Sequence, residues 1–293
     1  MDMSNIIPES ELIIRPDGSI YHLGLLPEQL CDTIITVGDP DRVDDVTVHF
    51  DRIFYTHQVR EFKTTAGEIG SKSIMVVSTG IGTDNIDIVF NELNALANIN
   101  FQSRILQKKH RALSLFRIGT SGSLRKEIPI DSLLVSEYTI GLDGLMHFYS
   151  RKKNKELSSM QSSFDKVLHL SIPNIDSYAC KSTDELFIKK LSKKFYRGCT
   201  LTASGFYGPQ GRVLSAPLVD KYYLDALRKW KHKEISISNF EMETAGIYGM
   251  AEVLGHKAVS LNAIIANRES NVFSKNVGKT VDKLIKMTLD AIV

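Results

Sequence analysis

Gln210 and Arg212 stand two residues apart in Phe206-Tyr207-Gly208-Pro209-Gln210-Gly211-Arg212, a loop that its Gly and Pro residues turn and stiffen. A carboxamide offers both donor and acceptor, and a guanidinium offers donors in a fixed fork. Side by side they can return donor, acceptor and donor to a ring edge that presents acceptor, donor and acceptor. Uracil has such an edge at O2, N3–H and O4. Gln and Arg beside glycines are also ordinary solvated loop residues, so the pair gains meaning only from company.

Four other segments provide that company. Val37-Gly38-Asp39-Pro40-Asp41-Arg42 follows an apolar run with a sharp turn, leaving backbone N–H groups and Arg42 at the carboxyl end of a sheet, where open α/β folds bind ligands. Amides in such a turn, with a guanidinium beside them, form an anion site; the plainer reading is a strand-to-helix turn with an exposed Arg. Ser78-Thr79-Gly80-Ile81-Gly82-Thr83 brings hydroxyls to the same edge, or is only a tight turn. In Phe116-Arg117-Ile118-Gly119-Thr120-Ser121-Gly122-Ser123, Arg117 interrupts an apolar strand, where an unpaired charge would be costly, so it calls for a carboxylate or a bound anion. Asn239-Phe240-Glu241-Met242-Glu243-Thr244-Ala245-Gly246 sets two acids on either side of Met242, just before a helical pattern over Ala245 to Leu254. One acid can cap that helix. The other can accept from two vicinal hydroxyls while Met242 packs on the sugar face, a cradle for ribose.

The elements that must position these groups alternate in type. Thr33 to Val37, Ser73 to Ser78, Leu113 to Ile118, Ser132 to Val135, Thr200 to Ala203 and Ala258 to Ile265 read as strands, mostly continuous apolar runs of the kind covered by helices on both faces. Asn85 to Asn98 reads as a helix with Ile86, Val89, Phe90, Leu93 and Leu96 on one face and Asp84 as its N-cap. Val277, Val281, Leu284, Ile285, Leu289 and Ile292 line one face of a closing helix. The basic stretch Ser150 to Ser163, with Arg151-Lys152-Lys153-Asn154-Lys155, reads as a surface insertion. The alternation resumes with the same character after it, so residues 1–293 are expected to form a single α/β domain around a central sheet.

Composition narrows the class. With 293 residues and 43% hydrophobic content, the chain can bury a sizeable core. No apolar run nears the roughly 20 residues of a spanning helix, and Met1 to Arg15 lacks the basic start and apolar core of a signal peptide. A cytoplasmic protein with no membrane partner is expected. A net charge of +2, from 36 basic and 34 acidic side chains, leaves no footprint for nucleic acid. Cys31, Cys180 and Cys199 are odd in number and scattered, which favours reduced core residues over disulfides or a CxxC metal site.

Taken in order, the GDPDRV turn, Arg60-Glu61-Phe62, STGIG, FRIGTSG, the FY…Q-G-R loop and FEMETAG resemble the nucleoside phosphorylase family, in the branch of the uridine and hexameric purine phosphorylase types. The resemblance runs from Tyr21-His22-Leu23-Gly24-Leu25 to the last helix. It implies one α/β domain around a twisted, mixed, partly barrel-like sheet flanked by helices, assembled as a homodimer or a homohexamer of three dimers. It also implies reversible phosphorolysis, with inorganic phosphate as co-substrate and no other cofactor required. Uridine would yield uracil and ribose 1-phosphate.

Carried over residue by residue, Gly38, Arg42, Arg117 and Thr120 resemble the phosphate site, with Arg60 lent by a neighbouring subunit. His22, also lent across the interface, together with Met242, Glu243 and Thr120, resembles the ribose site. Phe206, Gln210, Arg212, Glu241, Ile265 and Arg268 resemble the base pocket, and Arg117, Gln210 and Arg212 are the residues expected to carry catalysis. Some members hold a monovalent cation, which makes Glu61, Ile81 and Asn85 a candidate potassium site, although Asn85 stands where a Ser is usual. The loop order Gly208-Pro209-Gln210-Gly211-Arg212 also departs from the usual Pro-Gly-Gln-Glu-Arg.

Purine members carry an Asp acid near the end of the last core strand. Here Asn267 occupies that neighbourhood, no Asp lies between Ala258 and Ser274, and Glu269 is the nearest carboxylate, which favours a pyrimidine. A purine enzyme, a nucleosidase using water and a non-catalytic nucleoside-binding protein remain the alternatives. The arginines aimed at an anion argue against the nucleosidase.

Overall fold

A computed structural model describes residues 6–191, 193 and 195–293; residues 1–5, part of the N-terminal stretch read against a leader, and residues 192 and 194 lie outside it. In chain order the first half gives β1 (Thr33–Val37), α1 (Pro40–Thr47), β2 (Arg52–Val59), β3 (Phe62–Ile69), β4 (Lys72–Ser78), α2 (Thr83–Asn98), β5 (Ile99–Asn100), β6 (Ile105–Leu106), β7 (Ser114–Ser123) and β8 (Leu133–Gly141). The second half gives α3 (Lys155–Ser171), β9 (Tyr178–Lys181), α4 (Glu185–Leu191), β10 (Tyr196–Thr202), α5 (Tyr223–Lys229), β11 (Lys231–His232), β12 (Ile235–Glu241), α6 (Thr244–Leu254), β13 (Lys257–Asn267), β14 (Val272–Phe273) and α7 (Val277–Ile292).

The main sheet runs β11-β12-β10-β8-β13-β7-β1-β4-β3-β2, and a further pairing of β12 with β7 closes five of its strands into a ring. Strands β1, β4, β3 and β2 form an open wing beside β7. Pairing is mixed: β7 runs parallel to β1 and β13, whereas β13 meets β8 antiparallel. This is the twisted, partly barrel-like α/β sheet expected from the sequence.

Every residue of β1 is buried, and its side chains alternate between two cores. Ile34 packs with the helices α2 and α6, while Ile35 and Val37 pack with α1, α4 and α7. A strand sandwiched in this way must be apolar on both faces, which is why it reads as a continuous run. The closing helix α7 buries Val281, Leu284, Ile285, Leu289 and Ile292, as its spacing predicts.

Three expectations need correction. The stretch 150–163 is not a surface insertion throughout, because α3 begins at Lys155 with Asn154 capping it and buries Leu157, Met160, Phe164 and Leu168 in a third core beside Trp230. Its apolar face is spaced at three and four residues, and the lysines obscured it. Asp84 is not the N-cap of α2; that position is Gly82, at φ 97, which admits a backbone turn that a side chain would strain. Asp84 sits in the first turn instead. Finally, β7 continues through Gly119-Thr120-Ser121-Gly122, because β13 on one side and β12 on the other keep it extended across the ring.

Candidate active site

The carboxyl ends of β1, β4 and β7 open into one cavity of about 750 Å³. Its walls include Gly38, Arg42, Arg117, Thr120, Phe206, Gln210, Arg212, Glu241, Met242, Glu243, Ile265 and Arg268. Segments 38–42, 117–120, 206–212 and 241–243, read separately in the sequence, therefore meet at one place. Ser121, Phe240 and Phe273 also line it. Ser121 was legible from alternation, since it stands four residues after Arg117 on the same strand. Phe273 arrives on the short strand β14 paired to the end of β13, and no local pattern announces that.

At the first strand end, Asp39 caps α1 by accepting from the Asp41 N–H at 3.0 Å, and Pro40 opens the helix. This turn brings Arg42 to the cavity wall. Burial, and then the nearby Arg117 guanidinium, lower the Arg42 pKa, so two cations share this corner. An anion placed there would relieve that repulsion.

Arg117 is buried on β7 and has the partners its position demands. Nη2 donates to Glu243 Oε2 at 2.5 Å and lies 3.2 Å from Glu241 Oε2, while Nη1 donates to Asn262 Oδ1 at 3.1 Å. Burial opposes its charge, but the two carboxylates win and raise its pKa. The guanidinium lies over Gly119, where any Cβ would overlap it.

The two acids divide their work. Glu241 Oε1 accepts from Thr202 Oγ1 at 2.6 Å, and Oε2 accepts from the N–H groups of Glu243 and Thr244 at 3.0 and 2.9 Å and from Thr244 Oγ1 at 2.7 Å. Burial pushes its pKa up, with Arg117 pulling the other way. Every neighbour is a donor, which an ionised carboxylate satisfies. The base-binding role expected for Glu241 therefore does not match its geometry: the carboxylate is committed to the start of α6 and to Arg117. Glu243 is freer, accepting from the Gly82 N–H at 2.9 Å and from Arg117.

The other end of the cavity is a loop. Gly208–Gln210 makes a single helical turn closed by Gly211 at φ 68, and the Arg212 N–H donates back to the Tyr207 carbonyl. Arg212 Nη1 donates to the Phe206 carbonyl at 2.6 Å and to Gln210 Oε1 at 2.7 Å, and its guanidinium carbon sits 3.8 Å from the Phe206 ring centre. Burial, aided by the cationic Arg268, pulls the Arg212 pKa down to about 10. Arg268 is a wall residue, yet its Nη1 donates to the Gln210 carbonyl at 3.0 Å, and Arg228 of α5 donates to the Arg268 carbonyl at 2.9 Å. Arg268 thus braces the loop as well as facing the cavity.

Neither His22 nor Arg60 lines this cavity. Both lie beside Tyr21 instead: the His22 ring is 4.8 Å from the Tyr21 ring, and the Arg60 guanidinium is 6.0 Å from it. His22 Nδ1 sits 2.7 Å from Glu92 Oε1. A nitrogen facing a carboxylate carries the proton, which leaves Nε2 as acceptor in the neutral ring.

The candidate cation residues Glu61 and Asn85 flank Gly80, next to Ile81. One copy supplies one carboxylate, one carboxamide and one carbonyl toward a cation expected between two copies. Among the described residues, no three His, Cys, Asp or Glu side chains gather as a metal group. Asn267 is structural: Nδ2 donates to the Arg125 and Ile128 carbonyls at 2.8 and 3.0 Å, and Oδ1 accepts from the Glu269 and Ser270 N–H groups. Glu269 accepts from the Lys126 N–H at 2.7 Å and does not line the cavity.

Comparison with known proteins finds relatives along most of the chain. Uridine phosphorylase of Thermococcus kodakarensis is 25% identical over 261 residues, which is 88% of this chain and 81% of its own. A DeoD-type purine nucleoside phosphorylase of Bacillus subtilis is 24% identical over 242 residues, 82% of this chain and 84% of its own. Among solved structures, a Trypanosoma brucei nucleoside phosphorylase that shows uridine phosphorylase activity aligns with a TM-score of 0.86 at 27% identity, covering 96% of this chain and 98% of that one. A model of the phosphorylase superfamily matches residues 32–293, and the chain belongs to that superfamily.

Proposed function

We propose that this chain is a nucleoside phosphorylase, a pentosyltransferase that uses inorganic phosphate, and that its nucleoside is uridine. One observation carries the reading: a single cavity gathers Arg42, Arg117 and Thr120 for an anion, Met242 and Glu243 for a sugar, and Gln210 with Arg212 for a ring edge. Its relatives include both uridine and purine nucleoside phosphorylases. Among the described residues, no free carboxyl lines the wall near Asn267, which supports the pyrimidine over the purine, because a purine departs most readily when N7 receives a proton.

Phosphate held by Arg42, Arg117 and the Gly38 turn attacks C1′ as the bond to N1 breaks, with Glu243 accepting from the ribose hydroxyls. Negative charge then spreads onto O2 and O4 of the departing uracil. Arg212 meets that charge more strongly than it meets neutral uridine, so it contributes differential binding of the transition state. Gln210 fixes the ring's orientation, which requires its Oε1 to exchange the Arg212 contact for the uracil N3–H. Arg60 and His22, which both lie beside Tyr21, complete the site of a second copy. Potassium stays outside the proposal.

The test is to incubate the purified protein with uridine or inosine, with and without phosphate, and to follow the free base. Uracil released only with phosphate is the expected result. Preferential release of hypoxanthine would sink the pyrimidine assignment, and base release without phosphate would indicate a nucleosidase.

A further inference from the structure

Asn262 has no exposed surface and sits in the middle of β13, within a run of buried residues. A primary amide in such a place is costly unless every polar atom finds a partner. It does not line the cavity, and no motif contains it.

Its partners explain it. A chain of side-chain hydrogen bonds passes once round the five ring strands. Arg117 Nη1 on β7 donates to Asn262 Oδ1 on β13 at 3.1 Å, and Asn262 Nδ2 donates to Ser136 Oγ on β8 at 3.3 Å. Ser136 Oγ lies 2.6 Å from Thr200 Oγ1 on β10, which donates to Asn239 Oδ1 on β12 at 2.9 Å. Asn239 Nδ2 then returns to β7, donating to Ser121 Oγ at 2.9 Å. The chain begins at one cavity residue and ends at another. Because arginine only donates, the Asn262 atom facing it must be the carbonyl oxygen, so the amide orientation is determined.

We infer that Asn262 is a positioning residue for Arg117, setting the orientation in which that guanidinium binds phosphate. This rests on the phosphorolysis reading above. Two carboxylates draw Nη2 toward the sugar side, and Gly119 leaves a slot under the guanidinium. Without an acceptor for Nη1, nothing opposes the carboxylates and the guanidinium turns into them. With Asn262 in place, the plane is held at both nitrogens and the remaining N–H groups face the anion.

The test compares Asn262→Val, which removes the acceptor with little loss of volume, and Asn262→Asp, which keeps size and acceptor but adds a carboxyl beside Arg117. Steady-state kinetics with uridine and phosphate varied separately, calorimetric titration with orthophosphate and a melting curve are measured for each. Loss of a hydrogen bond to a charged group predicts that Asn262→Val raises the phosphate KM and Kd roughly tenfold, while the uridine KM changes less than about threefold. Asn262→Asp is expected to weaken phosphate at least as much, since an added negative charge repels the dianion. Phosphate constants equal to wild type, or equal losses for both substrates, would overturn the role of Asn262. Should Asn262→Val not fold, Asn262→Leu, which also lacks the acceptor and is close to asparagine in shape, decides by the same ratio. If the wild type binds orthophosphate yet releases no base with it, the reaction fails while the titrations still judge Asn262.

Discussion

At the barrel end of the cavity, Arg117 meets Glu241, Glu243 and Asn262 inside a closed ring of strands. At the loop end, Arg212 meets a carbonyl, a carboxamide and the Phe206 ring, and no carboxylate. The pKa shifts follow the partners: carboxylates raise Arg117, whereas burial and a second guanidinium pull Arg212 down to about 10. A cation set between fixed anions cannot be removed without stranding them, and so is tied to the fold. One left short of anions is a cost to the free protein that an anionic ligand can offset. The two arginines therefore differ in what they do before any ligand arrives.

The largest test of that contrast is Arg117→Met. It strands two buried carboxylates, so the fold should lose roughly 3–5 kcal/mol along with phosphorolysis, read as a lower denaturant midpoint with activity below detection. A midpoint near wild type would break the comparison. Arg212→Met should behave oppositely: kcat for uridine falls roughly 10²–10³-fold, as for a lost transition-state donor, while the melting temperature holds or rises. Equal destabilisation by both substitutions would mean that the loop end is structural too. A smaller effect is expected from Arg228→Met, which removes the donor to the Arg268 carbonyl and so loosens the brace behind Gln210. Loss of one hydrogen bond there predicts roughly a three- to tenfold rise in the uridine KM, with the phosphate KM unchanged.

A further test lies outside both ends. His256 is buried, accepts from the Leu113 N–H and has its pKa lowered by burial from 6.5 to about 4. The unfolded chain takes up this proton more readily than the folded one, so stability is complete above pH 6.5 and declines as pH falls from there toward about 4. Melting curves should fall through that window. His256→Asn should flatten the decline, whereas Arg212→Met should leave its slope intact; if Arg212→Met removes the slope instead, the loop end takes part in acid stability.

Much of this architecture was legible because its signals are local. The apolar run Thr33–Val37 becomes a strand in place, since both its faces are covered. Arg117 in an apolar run called for a partner, and finds two carboxylates. Other features failed for physical reasons. The lysine-rich stretch after Ser150 looked like solvent-facing chain, yet Leu157, Met160, Phe164 and Leu168 bury one side of α3 while its polar side stays outside. The hairpin of β2 and β3 has no local signature, because β2 is a largely exposed edge strand without an apolar run. Glu241 and Glu243 were recognised as a pair with different duties, but which acid caps the helix depends on where Thr202 lies, 39 positions away.

Short-range features follow from the order of residues alone: the Gln-x-Arg spacing, the glycine turns at strand ends, the alternation of strands and helices, and the amphipathic face of α7. Each depends on residues within one or two turns of chain. Tertiary structure decided the rest. It closed β7 through β12 into a ring, brought Asn262 to Arg117 across 145 positions and Gly82 to Glu243 across 161, and set Phe273 at the cavity wall. Those contacts arise from strand order and register, which pairing across the whole sheet selects and which no stretch of neighbouring residues encodes.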